Sequence, residues 1–162
     1  MAEDTPAQTH TDRRKNETRL WLGILDVHSF IYPELNKRLK ELTAISVSKF
    51  DVLAQLNRYP EGLSMGDLSA RLKVSNGNVS GLVNRLRKDG LVDKTMSTDD
   101  RRSFVAVLTP AGQQRFAEAA RVHTEVLGKC LSHLDTQTLE DTTAMLKSIV
   151  NMPDNKVPSQ DE

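Results

Sequence analysis

Ser75, Asn76, Asn78, Ser80, Asn84, Arg85 and Lys88 fall within one short stretch and, at helical spacing, lie away from the apolar set Val79, Leu82, Val83 and Leu86. Short amides and hydroxyls so arranged match the donors and acceptors on base edges in a major groove, and a guanidinium reaches guanine or phosphate. Gly77 and Gly81 share the segment. Each glycine costs about 1 kcal/mol of helix stability relative to alanine, a loss that close approach of the backbone to DNA would offset. The plainer alternative is a solvated face of an amphipathic helix.

A second cluster, Asp99-Asp100-Arg101-Arg102, separates two stretches with an apolar period near two, residues 91–96 and 104–108. This pattern predicts a β-hairpin with a charged tip. A hairpin that directly follows a DNA-reading helix sets its tip beside the flanking minor groove, whose potential attracts arginine. Arg102 is the expected reader of that groove, with Arg101 beside it and Asp100 holding the guanidinium in a forked pose. Lys49, Lys73, Arg87 and Lys94 are either phosphate contacts or plain surface charges. Between residues 64 and 112 eight basic side chains stand against five acidic ones, although the whole chain balances 22 against 22. The local excess marks the anion-binding surface.

Catalytic sets are not evident. His28, His123 and His133 have no nucleophile or carboxylate at a motif spacing, and neither a Gly-rich phosphate loop nor an HExxH pattern occurs. The single cysteine, Cys130, excludes a thiolate zinc site built by one chain and sits on an apolar stripe as a small hydrophobe. No catalytic residue, metal or cofactor is therefore expected. Trp21, Leu25, His28, Tyr32, Phe50 and Phe116 could together line an apolar slot for an aromatic ligand. Arg19, with Arg13, Arg14 and Lys15, would supply cations for a carboxylate or phosphate, or else form a solvated terminus.

The elements that must position these groups follow from periodicity. Over residues 20–42 apolar positions recur at 20, 24, 27, 31, 35, 39 and 42, with a second stripe at 21, 25, 28 and 32. A helix buried on two sides is expected, kinked but not ended by Pro33. Ser46 caps a second helix with Phe50, Leu53 and Leu56 inward, stopped at Tyr59-Pro60-Glu61-Gly62. Ser64 and Asp67 make a capping box for a short third helix through Leu72; Ser75 caps the fourth, closed by Gly90. Two short helices joined by a tight turn form a helix-turn-helix, and the hairpin after it is a wing. Thr109-Pro110 opens a long fifth helix with the stripe Phe116, Ala120, His123, Leu127, Cys130 and Leu134. Asp135 caps a sixth with Leu139, Leu146, Ile149 and Val150 inward.

The fold class is thus mainly α with a small β-hairpin wing, a single domain over residues 1–162. Residues 46–109 are expected to form a winged helix-turn-helix lobe for DNA, and 18–45 with 110–150 a helical dimerisation part; 1–15 and 153–162 are expected to fray. No apolar run approaches the roughly 18 residues of a membrane span, and the first twenty residues lack a signal-peptide core. A cytoplasmic protein with no membrane partner is expected. Leu20, Ile24, Leu127, Leu131, Leu139, Leu146 and Ile149 exceed what one small core shelters, which predicts a homodimer.

The stretches SNGNVSGLVNRLRKDGLV and DDRRSFVAVLTPAG resemble the MarR family of winged-helix transcription regulators. The family's wing pattern, Asp-x-Arg-Ser, a strand, then Leu-Thr-x-x-Gly, falls here on Asp100, Arg102, Ser103, Leu108, Thr109 and Gly112. The resemblance spans about residues 18–150. It implies a homodimer, intertwined through the first, fifth and sixth helices, bound to a pseudo-palindromic double-stranded DNA operator. Peroxide-sensing relatives carry their cysteine near the first helix, a pattern from which Cys130 departs. The segment from Ser75 to Val79 resembles, more weakly, that of members controlling hydroxycinnamate and aromatic-acid breakdown. That likeness implies a repressor released by an aromatic carboxylate or a hydroxycinnamoyl-CoA thioester. The competing classes are a winged-helix protein-interaction module without specific DNA binding and, more distantly, a small enzyme.

Overall fold

The computed structural model describes residues 6–96 and 104–151. Its elements run α1 (Pro6–Thr43), α2 (Val47–Arg58), α3 (Met65–Leu72), α4 (Asn76–Lys88), β1 (Val92–Met96), β2 (Phe104–Leu108), α5 (Pro110–Leu131) and α6 (Thr136–Val150). This is the winged helix-turn-helix arrangement, mainly α with one two-stranded antiparallel sheet.

α1 begins well before its apolar stripe. Residues 6–15, polar and without period, are also helical; from residue 12 on, ion pairs one turn apart support the helix, Arg13 with Glu17 at 2.9 Å and Lys15 with Asp12 at 3.5 Å. The helix continues through Pro33 and ends where Ala44 turns left-handed at φ 57°. Among the described residues, burial on two sides is not met. Leu35 and Leu39 are buried, whereas Leu20, Trp21, Leu22, Leu25, Val27, Phe30 and Leu42 are exposed among the described residues.

The caps form locally as the side chains dictate. Ser46 Oγ accepts from Lys49 N, and Ser64 Oγ accepts from Asp67 N at 3.1 Å while donating to Asp67 Oδ2 at 2.6 Å. Ser75 Oγ and Asp135 Oδ1 accept from Asn78 N and Thr138 N. Each satisfies amides that the first helical turn leaves unpaired. The core is assembled from Leu39, Ile45, Val52, Leu53, Leu56, Leu68, Val79, Val83, Leu86 and Ala106, all at most 1% exposed. Each aliphatic side chain so buried contributes about 1.5–3 kcal/mol.

The sheet pairs Val92 with Leu108 at its inner end and Met96 with Phe104 at its outer end. Leu63 adds a short third rung, exchanging hydrogen bonds with Ala106 at 3.0 and 2.9 Å. Gly62, at φ +98°, makes that rung possible: a Cβ there would come within 2.9 Å of Val105, Val107 and the Ala106 carbonyl.

The two compact units are Met1–Leu127, which holds the buried core of the described residues, and Gly128–Glu162. In the first, α5 buries Gly112, Ala119 and Val126 with Phe116 and His123 half-buried between them. The inward stripe is therefore turned by one residue from the expected Ala120 and Leu127. In the second, α6 buries no residue; Leu139 is half-buried and Leu146, Ile149 and Val150, expected inward, are exposed.

The junction of wing and α5 is closely packed. Thr109 N donates to Leu91 O at 3.1 Å and its Oγ1 donates to Gly90 O at 2.7 Å, while accepting from Gly112 N at 3.0 Å. A Cβ on Gly112 would lie 1.9 Å from Leu91 O and 2.9 Å from its carbonyl carbon. Backbone, not a flexible side chain, occupies that space. Gly112→Ala is accordingly expected to lower stability by about 3 kcal/mol or more, read as a fall in the urea midpoint. An unchanged midpoint would show that α5 is not docked on the Leu91 carbonyl.

Candidate nucleic-acid interface

Three anchors fix the outer face of α4. Its inward side chains Val79, Val83 and Leu86 are fully buried, which sets the rotation of the helix. Its C-terminal cap, Asp89, is tied to α2 by Lys49 Nζ at 2.6 Å. Its entry is set by the α3 turn, where Lys73 takes φ 54° and Ser69 Oγ donates to Val74 O at 2.5 Å. Beneath that turn Arg71 lies 4.0 Å over the Tyr59 ring and donates to its hydroxyl at 2.7 Å.

What remains outward is Asn76, Gly77, Asn78, Asn84, Arg85 and Lys88, all exposed, with Ser80 and Gly81 half-buried. Ser75 Oγ accepts the Asn78 amide at 3.4 Å, so part of its capacity serves the helix itself. The Arg85 guanidinium folds back along the helix, 3.5 Å from where a Cβ on Gly81 would stand. A Cβ on Gly77 would meet nothing within 4 Å, and its φ is an ordinary helical one. Neither glycine is required by turn geometry or by packing against backbone. Lys49 is engaged by Asp89 and is not available as an independent phosphate ligand, whereas Arg87 and Lys94 are exposed. Asp100, Arg101 and Arg102 lie outside the described residues.

Along part of this same face a cleft of about 370 Å³ is lined by Ser48, Asp51, Leu72, Val74, Gly77, Asn78, Gly81, Leu82 and Arg85. The periodicity of one helix could not show it, because α2 and the α3 turn supply half its wall. Arg71 was likewise visible in the sequence only as a charge; its partner Tyr59 is twelve residues away and needs the turn to reach it.

The aromatic residues fall into two groups. Phe50 stacks on Phe116 at 5.6 Å and on His123 at 4.6 Å, joining α2 to α5. Burial holds the His123 imidazole below the usual histidine range, against the opposing charge of Asp51. Burial in turn raises the Asp51 carboxyl above its ordinary value, partly offset by His123. On α1, His28 stacks on Tyr32 at 5.1 Å, while Trp21, Leu25 and Tyr32 are exposed. The single slot expected from these side chains is thus not closed by one chain; Phe50 and Phe116 meet, with His123 as a partner the spacing did not suggest. Arg19 lines a shallow groove on α1 with Arg14, Lys15 and Thr18.

A family model described as the MarR family matches residues 45–103. The chain is 30% identical over 124 residues to the transcriptional activatory protein BadR of Rhodopseudomonas palustris, covering 72% of this chain and 71% of that protein. It is 47% identical to a crystallised MarR family transcriptional regulator from Silicibacter pomeroyi, over 86% of this chain and 96% of that one, with a TM-score of 0.75. The fold is also that of CouR from Rhodococcus jostii RHA1 bound to p-coumaroyl-CoA, at 21% identity, 82% and 92% coverage and a TM-score of 0.76.

Gly77 separates a solvated helix face from a docking face. Gly77→Ala meets no neighbour and is expected to stabilise the protein by about 0.5–1 kcal/mol, while weakening duplex DNA binding roughly fivefold, about 1 kcal/mol. Thermal melting and fluorescence anisotropy read the two signs; a variant with higher stability and undiminished binding would mean that the face does not approach DNA.

Proposed function

The chain belongs to the MarR family of DNA-binding transcriptional regulators, and on that premise we propose that it works as a homodimeric repressor released from its operator by an aromatic carboxylate or the coenzyme A thioester of one. The observation that carries the DNA part is the outer face of α4, where amides, an arginine and Gly77 lie exposed, with Gly81 half-buried beside them, on a helix anchored on its other side. Asn76, Asn78, Ser80, Asn84 and Arg85 are assigned to base edges and their flanking phosphates, Lys88 to a phosphate. Arg102, with Asp100 and Arg101, is assigned to the minor groove from the sequence pattern of the wing.

Dimerisation is supported by the apolar side chains that each unit leaves open: Leu20, Leu22, Val27 and Phe30 on α1, and Met145, Leu146 and Ile149 on α6. Residues 18–45 and 110–150 are their source, and a two-fold axis then sets the recognition helices on half-sites about one helical turn apart. The effector reading rests on the two aromatic groups, on the cations of α1 and on the likeness to CouR, which was crystallised with p-coumaroyl-CoA. A second chain laid along α1 would wall in Trp21, Leu25, His28 and Tyr32, leaving Arg14 and Arg19 for phosphates. For release, the effector must bind the DNA-incompetent state more tightly; a tenfold preference at one site corresponds to about 1.4 kcal/mol.

The test is anisotropy of duplex DNA from upstream of the protein's own gene, repeated at several salt concentrations. Binding is expected to fall steeply with salt as counterions replace phosphate contacts, and Arg102→Ala to cost about 1–3 kcal/mol without lowering the melting temperature. Adding p-coumaroyl-CoA or feruloyl-CoA should dissociate the complex, and Arg14→Glu with Arg19→Glu should abolish that response. Absence of a specific complex at low salt would leave a protein-interaction module, and a complex indifferent to the acids and thioesters would remove the aromatic effector.

A further inference from the structure

Along one face of the hairpin the partners Val92 and Leu108, Lys94 and Ala106, and Met96 and Phe104 follow one another, because directly opposed residues of an antiparallel pair share a side. The inner end of that face is core, with Val92 3% and Ala106 0% exposed. Its outer end is open: Met96 is 56% and Phe104 60% exposed. An aromatic ring and a thioether thus stand together where the sheet outruns the helical lobe. Among the described residues of the hairpin the face carries Lys94 and no carboxylate, since Asp93 falls on the opposite side with its partner Val107. Apolar groups flanked by a lysine complement a polyanion whose grooves are walled by deoxyribose.

We propose that Met96 and Phe104 are a DNA-contacting pair, packing on the sugar walls of the minor groove beside the base steps that the wing spans, with Lys94 on the adjoining phosphate. The inference rests on the DNA-binding assignment of the wing made above and adds an apolar contact to its polar ones. Proteins that enter the minor groove commonly use phenylalanine and methionine in this way, as wedges against or between base steps. Continuity favours this occupant: the two residues lie at the outer end of the hairpin that directly follows α4 and whose first strand packs against it.

The experiment uses the full-length protein with Met96→Thr and Phe104→Thr combined, threonine keeping the β-propensity of both strands, and near-UV circular dichroism as the fold control. Anisotropy with the upstream duplex is recorded from low to physiological salt. The pair is expected to give a loss of roughly tenfold in affinity at every salt concentration, with the slope of log K against log salt unchanged, since an apolar contact displaces no counterions. Saturating the duplex with netropsin, which occupies the minor groove, should remove most of the difference between wild type and variant. Equal affinity of the two proteins overturns the proposal while leaving the DNA-binding assignment intact. A loss accompanied by a shallower slope also overturns it, showing displaced phosphate contacts. A wild-type protein that forms no specific complex removes the assignment of the wing and this inference together.

Discussion

The meeting of a helix backbone with a single carbonyl, Gly112 against Leu91, is the constraint on which the geometry of the lobe turns. Leu91 follows directly from α4 through Gly90, whose φ of 73° reverses the chain, and α5 follows directly from β2 through Thr109. The Thr109 hydroxyl donates to one side of that crossing and accepts from the other. Three elements, the end of α4, the wing and the start of α5, are thereby fixed within a few residues of one another. Any side chain at position 112 would force them apart. The Leu-Thr-x-x-Gly part of the wing pattern thus has a physical meaning: threonine closes the turn and glycine admits the carbonyl.

From that crossing the outer face of α4 is left open by subtraction. Val79, Val83 and Leu86 face the core, Lys49 holds Asp89, and the amides of α4 are left for a partner. The same crossing starts α5, whose Phe116 and His123 reach Phe50 on α2. A ligand or a second chain that shifts α5 therefore acts on the base of the lobe through stacked rings, the kind of packed contact that has discrete arrangements.

Local features were legible in the sequence and phase-dependent ones were not. Ser46, Ser64, Ser75 and Asp135 cap their helices where expected, because capping needs only residues three apart. The helix-turn-helix and both strands follow the apolar period for the same reason. The early start of α1 was hidden because surface ion pairs leave no apolar period. The α5 stripe was misphased by one residue at Ala119 and Val126, since the docking of Gly112, a tertiary contact, sets the rotation of the helix. Lys73 and Ala44 adopt positive φ without being glycine, which tertiary context imposes and composition does not announce. The apolar positions of α6 were read as inward on periodicity alone, yet a period reports only that a face needs cover, not which chain supplies it. In the candidate site, the α4 residues came out together because one helix carries them, while the aromatic residues, scattered over three helices, did not.

The central claim is that the outer face of α4 reads sequence. It is tested most directly by measuring the affinity of Asn78→Ala and Arg85→Ala proteins for the upstream duplex and for a scrambled duplex of equal length at the same salt. Base-edge contacts predict a loss of about 1–3 kcal/mol on the upstream duplex with a much smaller loss on the scrambled one. Equal losses on both would make these side chains phosphate contacts and contradict the account.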